Sequence, residues 1–191
     1  MRKVVAAINV TFDGFCDHTA GIANPEVHQH YTDLLNNSGA ILYGRTTYQL
    51  MEGFWPTVVK NPTGNKTMDD FAVAVENVPK VLFSRTVKSV DWKNARLATK
   101  DLKGEVLELK QQSGKDILVG SPSLIAELTK LNLIDEWQLC VHPVITGKGL
   151  PLFKDITDRI VFNLAKIKPF KTSGHVTFYY TPGKDPNFIK S

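Results

Sequence analysis

The first apolar run, "KVVAAINV" at 3–10, is interrupted by Asn9 and gives way to "TFDG", where Asp13-Gly14 signals a turn. From there apolar runs alternate with segments of helical period. Pro25 to Ser38 puts Val27, Tyr31, Leu34 and Leu35 on one stripe, with His28 at its edge and His30 pointing away. "AILYG" at 40–44 is a strand, and Arg45 to Met51 a short helix. The stretch "EGFWPTVVKNPTGNK" that follows, rich in Gly, Pro and Asn, is expected to be a loop. Helix around Met68–Glu76 leads into the strand "KVLFS". Helix over Leu102–Gln112 leads into "DILVG", and Pro122–Lys130 is a further helix. The rest is strand: "EWQLCVHPVI", "RIVFNLAKIK" and "HVTFYYT".

Several boundaries carry their own chemistry. Asn24-Pro25 and Ser121-Pro122 are capping residues followed by proline at the first helical position. Gly39 and Ser113-Gly114 are expected to end the helices before them. The runs "AILYG", "KVLFS" and "DILVG" lack polar alternation, as strands do when helices cover both faces of a parallel sheet. The last two strands alternate more clearly, which suits an antiparallel edge. The pattern predicts a three-layer α/β/α fold with a mostly parallel central sheet and antiparallel C-terminal strands. One domain over 1–183 and a loose tail at 184–191 are expected.

Composition narrows the class. The 191 residues are 42% hydrophobic and 22% charged, as in an ordinary globular domain. Lys plus Arg is 23 against 19 Asp plus Glu, a net +4 with no dense basic block, so no nucleic-acid partner is implied. No window approaches the roughly 18 apolar residues of a membrane helix, and the apolar start is too short for a signal peptide. Cys16 and Cys140 form no C-x-x-C, so neither a disulfide framework nor a metal site is indicated. A soluble cytoplasmic protein is the expectation.

Candidate chemistry gathers at three strand-to-helix junctions, because open α/β sheets bind ligands beyond the carboxyl ends of their strands. The junctions are Gly44-Arg45-Thr46-Thr47, Ser84-Arg85-Thr86 and Val119-Gly120-Ser121-Pro122-Ser123-Leu124. Gly44 lets a ligand or another backbone come close, and a helix start offers free N–H groups. Arg45 and Arg85 add forked donors that match phosphate. Each junction alone is also an ordinary turn, surface arginine or capped helix; their agreement points to one elongated ligand with several phosphates. Asn9, read as buried, needs a partner in backbone or ligand. Asp13 is a turn former or an acid, and His28 a packing residue or one facing a cleft; His142 is read as packing. No GxGxxG is present, and "GKG" at 147–149 lacks the Walker spacing.

Three motifs in order give the sequence a likeness. "TFDGF", "YGRTTYQLM" and "LNLIDEWQLCVHPVITGKGLPLF" resemble those of the dihydrofolate reductase superfamily. Within it they are most similar to the reductase domain of the bifunctional riboflavin-biosynthesis deaminase–reductase and its stand-alone relatives. The resemblance implies an NADPH-dependent reductase of a small polar substrate. Gly44, Arg45 and Thr46 would hold cofactor phosphates, and Ser84 and Arg85 the adenosine ribose and its 2′-phosphate. The segment Val119 to Leu124 would cradle the pyrophosphate, with the nicotinamide near Asn9 and Asp13. The substrate would lie between His28 and Tyr31 on the first helix and the loop Phe54 to Lys66, where Trp55 either stacks on a flat ring or anchors the core. Asp13 and His28 are the candidate proton sources. Two departures stand out: Ser121 replaces the second of two usual glycines, and His28 occupies the place of the acid that binds pterin in folate reductases. Dihydrofolate is therefore a poorer match, and a nucleotide-binding or regulatory module without turnover is the alternative. Relatives imply a homodimer through the apolar C-terminal strands.

Overall fold

A computed structural model describes residues 1–154 and 156–183; the expected tail at 184–191 lies outside the described residues. The first half of the chain forms β1 (Val4–Thr11), α1 (Pro25–Asn36), β2 (Ser38–Gly44), α2 (Arg45–Lys60), α3 (Lys66–Asn77), β3 (Lys80–Phe83) and β4 (Ala95–Leu97). The second half forms α4 (Leu102–Gln111), β5 (Asp116–Val119), α5 (Pro122–Lys130), β6 (Glu136–His142), β7 (Phe162–Pro169) and β8 (Val176–Pro182). The strands make one eight-stranded sheet in the order β4-β3-β2-β5-β1-β6-β8-β7. The pairs from β4 through β6 are parallel, and β8 and β7 add antiparallel.

Strand alternation sorts the core into two layers. Val4, Ala6, Ile8 and Val10 of β1 join Val106 and Leu109 of α4 and Leu124, Ile125 and Leu128 of α5. Val5 and Ala7 face the other way, onto Leu35 of α1, Tyr48 of α2 and Ala74 and Val75 of α3. A strand buried on both faces leaves no polar period to read, which is why β2, β3 and β5 appear in the sequence as plain apolar runs.

Three local expectations need correction, and one strand was not expected. The loop expected from Glu52 is helix: α2 continues through Pro56 to Lys60. Proline removes one hydrogen bond there, but Tyr48, Met51, Trp55 and Val58 keep the buried stripe going, and tertiary packing outweighs the lost bond. Gly39 does not end α1. That helix stops at Asn36, and Gly39 lies in β2, where a Cβ would come within 2.7 Å of the Arg2 guanidinium and 2.9 Å of the Lys115 carbonyl. His30 points inward, 5% exposed, packed by Tyr31, Phe170 and Tyr179. The three-residue β4 was missed because so short a run has no measurable period.

Candidate functional site

The three junctions are neighbours. Gly44 at the end of β2 is in register with Phe83 of β3, and Leu42 with Val119 of β5, so their following residues share one edge of the sheet. The Gly44 N–H donates to Ser121 Oγ at 2.9 Å, joining β2 directly to the start of α5. The approach at Gly44 is close: a Cβ there would sit 3.2 Å from Ser123 Oγ and 3.8 Å from Leu124 Cγ and Ser121 Cβ. Ser121 is 1% exposed, so its side chain is spent inside the fold and does not stand over Gly120. Above Gly120 there is room, since a Cβ would meet only the Ala7 carbonyl at 3.7 Å.

The helix starts along this edge differ from the others. Asn24, Asn65 and Asp101 cap α1, α3 and α4 with side-chain oxygens, and Glu26, Asp69 and Glu105 place acid in those first turns. Neither α2 nor α5 has a side-chain cap or an acidic first turn. Their amide hydrogens and positive dipole ends are therefore uncompensated by the protein itself. Arg45 and Thr46 are exposed at the first of these starts, and Ser123 at the second. Arg85 is also exposed, and neither Arg45 nor Arg85 makes a hydrogen bond or ion pair among the described residues. Ser84 Oγ accepts from the Thr86 and Val87 amides at 3.2 and 3.0 Å, which holds the turn that presents Arg85. Pro122 has no N–H to offer, and Val119 is fully buried core.

At the end of β1 the picture changes from anion chemistry to aromatic and amide chemistry. Asn9, expected to be buried, is exposed, and its Oδ1 accepts from the Tyr31 hydroxyl at 3.0 Å. Burial, with Cys140 and Tyr179 adding to it, pushes the Tyr31 phenol well above its ordinary range, so it remains O–H. The Asp13 carboxylate accepts from Thr11 Oγ1 at 2.5 Å, from the Gly147 amide at 2.7 Å and from the Thr146 amide at 3.2 Å. Those bonds hold it below the usual carboxylate range, led by the one from Thr11. Asp13 thus ties the turn after β1 to the 144–149 segment. His28 packs at 5.8 Å from Phe71 and 6.4 Å from Trp55, and burial lowers its pKa. Trp55 in turn lies 4.5 Å from Phe71, so the three rings join α1, α2 and α3.

Two features of this end were not found in the sequence. The amides of Thr146 and Gly147 act as partners of Asp13, and His142 pairs with His175 at 2.9 Å while accepting from the Ile22 amide at 2.9 Å. Burial lowers the His142 pKa to about 4, and His175 adds to it, so the ring is neutral where it anchors the chain before α1. The "GKG" segment was the available signal for the first, because Gly147 and Gly149 adopt φ of 70° and 145°. Nothing local signals the second, since 33 residues separate the two histidines.

Two open hollows lie outside this row of strand ends. A cavity of about 320 Å³ lined by Arg2, Gly39, Lys80, Asn94 and Arg96 lies where β2 and β3 begin. One of about 400 Å³ lies between Asp17, Thr19 and Ala20 and the 146–149 segment. The strand-end edge carries more weight as a ligand site because its helix starts and arginines are left without partners among the described residues, whereas Lys80 and Arg96 of the first cavity are engaged by backbone carbonyls and by Glu105.

Comparison with known proteins identifies the family and the fold. The family model for the RibD C-terminal domain matches residues 2–176. The uncharacterized protein YyaP of Bacillus subtilis is 34% identical over 185 residues, 94% of each chain. Among solved structures, a Thermotoga maritima diaminohydroxyphosphoribosylaminopyrimidine deaminase/5-amino-6-(5-phosphoribosylamino)uracil reductase superposes with TM-score 0.65 at 19% identity. The match covers 95% of this chain and 57% of that one. Dihydrofolate reductase of Enterococcus faecalis, solved with NADP(H), superposes with TM-score 0.64 at 12% identity, covering 95% and 97%. These last two share the fold. With its eight-stranded sheet, its order of motifs and a match over nearly the whole chain, this protein belongs to the RibD C-terminal domain family.

Proposed function

We propose that this chain is an NADPH-dependent reductase of a small polar substrate, with the pyrimidine reductases of riboflavin biosynthesis as the nearest chemical analogy. One observation carries the reading: two uncapped, acid-free helix starts and two unpaired arginines lie together on adjacent strand ends. A chain that leaves four such features unneutralised is matched to a ligand bearing several phosphates. In this reading Gly44, Arg45 and Thr46 hold one phosphate group, and Gly120, Ser123 and Leu124 the pyrophosphate by their backbone. Ser84 and Arg85 take the 2′-phosphate. The bound cofactor would supply hydride; the chain supplies orientation, with the reacting ring kept against β1 and water excluded. Asp13 serves by fixing the turn beside that ring. Asn9 and Tyr31 line the hollow on the α1 side of β1, and His28, Trp55 and Phe71 wall it between the helices. A second copy of the chain, docked on the apolar face of β7 and β8, belongs to the same proposal.

A second reading is favoured by a specific observation: Asp13 is already engaged, and burial beside Phe71 and Trp55 lowers the His28 pKa, so neither is a ready proton donor. The chain would then bind the nucleotide without turnover. Titration with NADPH and with NADH, followed by nucleotide fluorescence, tests both. NADPH should bind more tightly, and Arg85→Ala should lower that preference by at least about tenfold, the value of a charged hydrogen bond. No binding of either nucleotide ends the proposal. Binding without oxidation across pterins, pyrimidines and carbonyl compounds selects the second reading.

A further inference from the structure

We infer that Asn9 is a fixed hydrogen-bond donor aimed at the carbonyl oxygen of a planar ring bound over the end of β1, and that Tyr31 sets its orientation. The inference rests on the reading of the edge as a nucleotide and substrate site. It adds the polarity the ring must present.

The position is unusual for the residue. β1 is an inner strand of the sheet, and the residues beside Asn9 on the same face, Ala7 and Thr11, are 7% and 2% exposed. Cys140, the register partner of Asn9 on β6, is fully buried. An exposed side chain between them means the cover of helices is open above Asn9. The same side of the sheet carries Tyr31, whose ring is held by Val27, Cys140 and Phe170 and by His30 at 5.3 Å.

The hydrogen bond fixes which end of the amide faces out. Tyr31 donates its proton to Asn9 Oδ1, and Asn9 Nδ2 has no partner among the described residues. Turning the amide over would put its NH2 against a hydroxyl whose own proton then had no acceptor, so one orientation is preferred. The two N–H donors of Asn9 therefore face the opening, while its Oδ1 is turned to Tyr31. A ring carbonyl satisfies them; a ring that offers only a donor leaves them unpaired on desolvation. That carbonyl has two chemical sources, the carboxamide of a nicotinamide and the C=O of a pyrimidine.

Asn9→Asp and Tyr31→Phe decide the matter by direct binding. Adenosine 2′,5′-bisphosphate, which has phosphates and no nicotinamide, should bind Asn9→Asp as it binds the wild type. NADPH affinity should fall at least about tenfold if the carbonyl is nicotinamide. Uracil, titrated onto protein saturated with NADP⁺, should show that fall instead if it belongs to the substrate. Asn9→Ala, which deletes the donor without adding charge, should reproduce the selective loss should Asn9→Asp melt early. In Tyr31→Phe the Asn9 side-chain amide resonances should move and collapse toward one another while the melting curve keeps its shape. Unchanged affinity for both ring probes in a folded Asn9 variant overturns the inference, as does a wild type that binds neither. Failure of the bisphosphate alone to bind the wild type counts against the polyphosphate reading, and uracil titrated onto the nucleotide-free protein then decides this one.

Discussion

The Ser121 hydroxyl has a use in this chain that a glycine could not fill. It accepts the Gly44 N–H in the interior, between the end of β2 and the start of α5. Removing the acceptor leaves a buried amide without a partner, so Ser121→Ala should cost about 1–3 kcal/mol. Urea unfolding measures it; a change of only a few tenths would mean the bond is not formed. The same residue shows what sequence reading missed at this scale. "Ser-Pro" does signal a helix start, and the N-cap backbone is there, but the side chain turns to a partner 77 residues away instead of capping its own helix. Asn9 is a parallel case. An amide in an apolar run reads as buried, and only the gap above β1 makes it exposed.

Among the helices, capping separates those that only build the fold from those that face the groove. Acid in a first turn ordinarily stabilises a helix by about 0.3–1 kcal/mol. Thr46→Asp, in the uncapped first turn of α2, should therefore raise stability by about that amount while lowering NADPH affinity at least about tenfold by repelling phosphate. The opposite signs are the point of the test. Thermal melts and the fluorescence titration read them separately, and loss of both would indicate damage to α2 instead of a filled anion site. The absence of acid from these two first turns could be read from the sequence. That Ser121 leaves its own helix uncapped could not. The extension of α2 past Pro56 was hidden for a related reason: local chemistry favours a break, and the burial of Tyr48, Met51, Trp55 and Val58 overrides it.

For the molecule as a whole, the sheet ends in an antiparallel β7 whose Leu164 and Ile167 are 51% and 49% exposed beside Tyr180 and Phe178. Apolar side chains in a row on an outer strand invite a second sheet. Sedimentation velocity should return a dimer for the wild type. The double variant Leu164→Lys, Ile167→Lys should sediment as a monomer with an unchanged circular dichroism spectrum. A wild type that stays monomeric at tens of micromolar would remove the pairing from the proposal. No helix among the described residues is long and apolar enough to cross a membrane.

The sequence by itself determined the fold class, the alternation of strands and helices, and the three junctions, because each follows from short-range periods and from residues that punctuate them. Buried parallel strands announce themselves as apolar runs, and capping residues and proline mark where helices begin. Tertiary structure alone decided which of those residues are free to act. Ser121 is taken up by Gly44, Asp13 by the amides of Thr146 and Gly147, and His28 by two aromatic rings. Among the described residues Arg45 and Arg85 remain unpaired, and Asn9 keeps an open donor. A side chain's availability depends on what the rest of the chain brings within about 3 Å of it, and contacts between distant residues leave no period along the sequence.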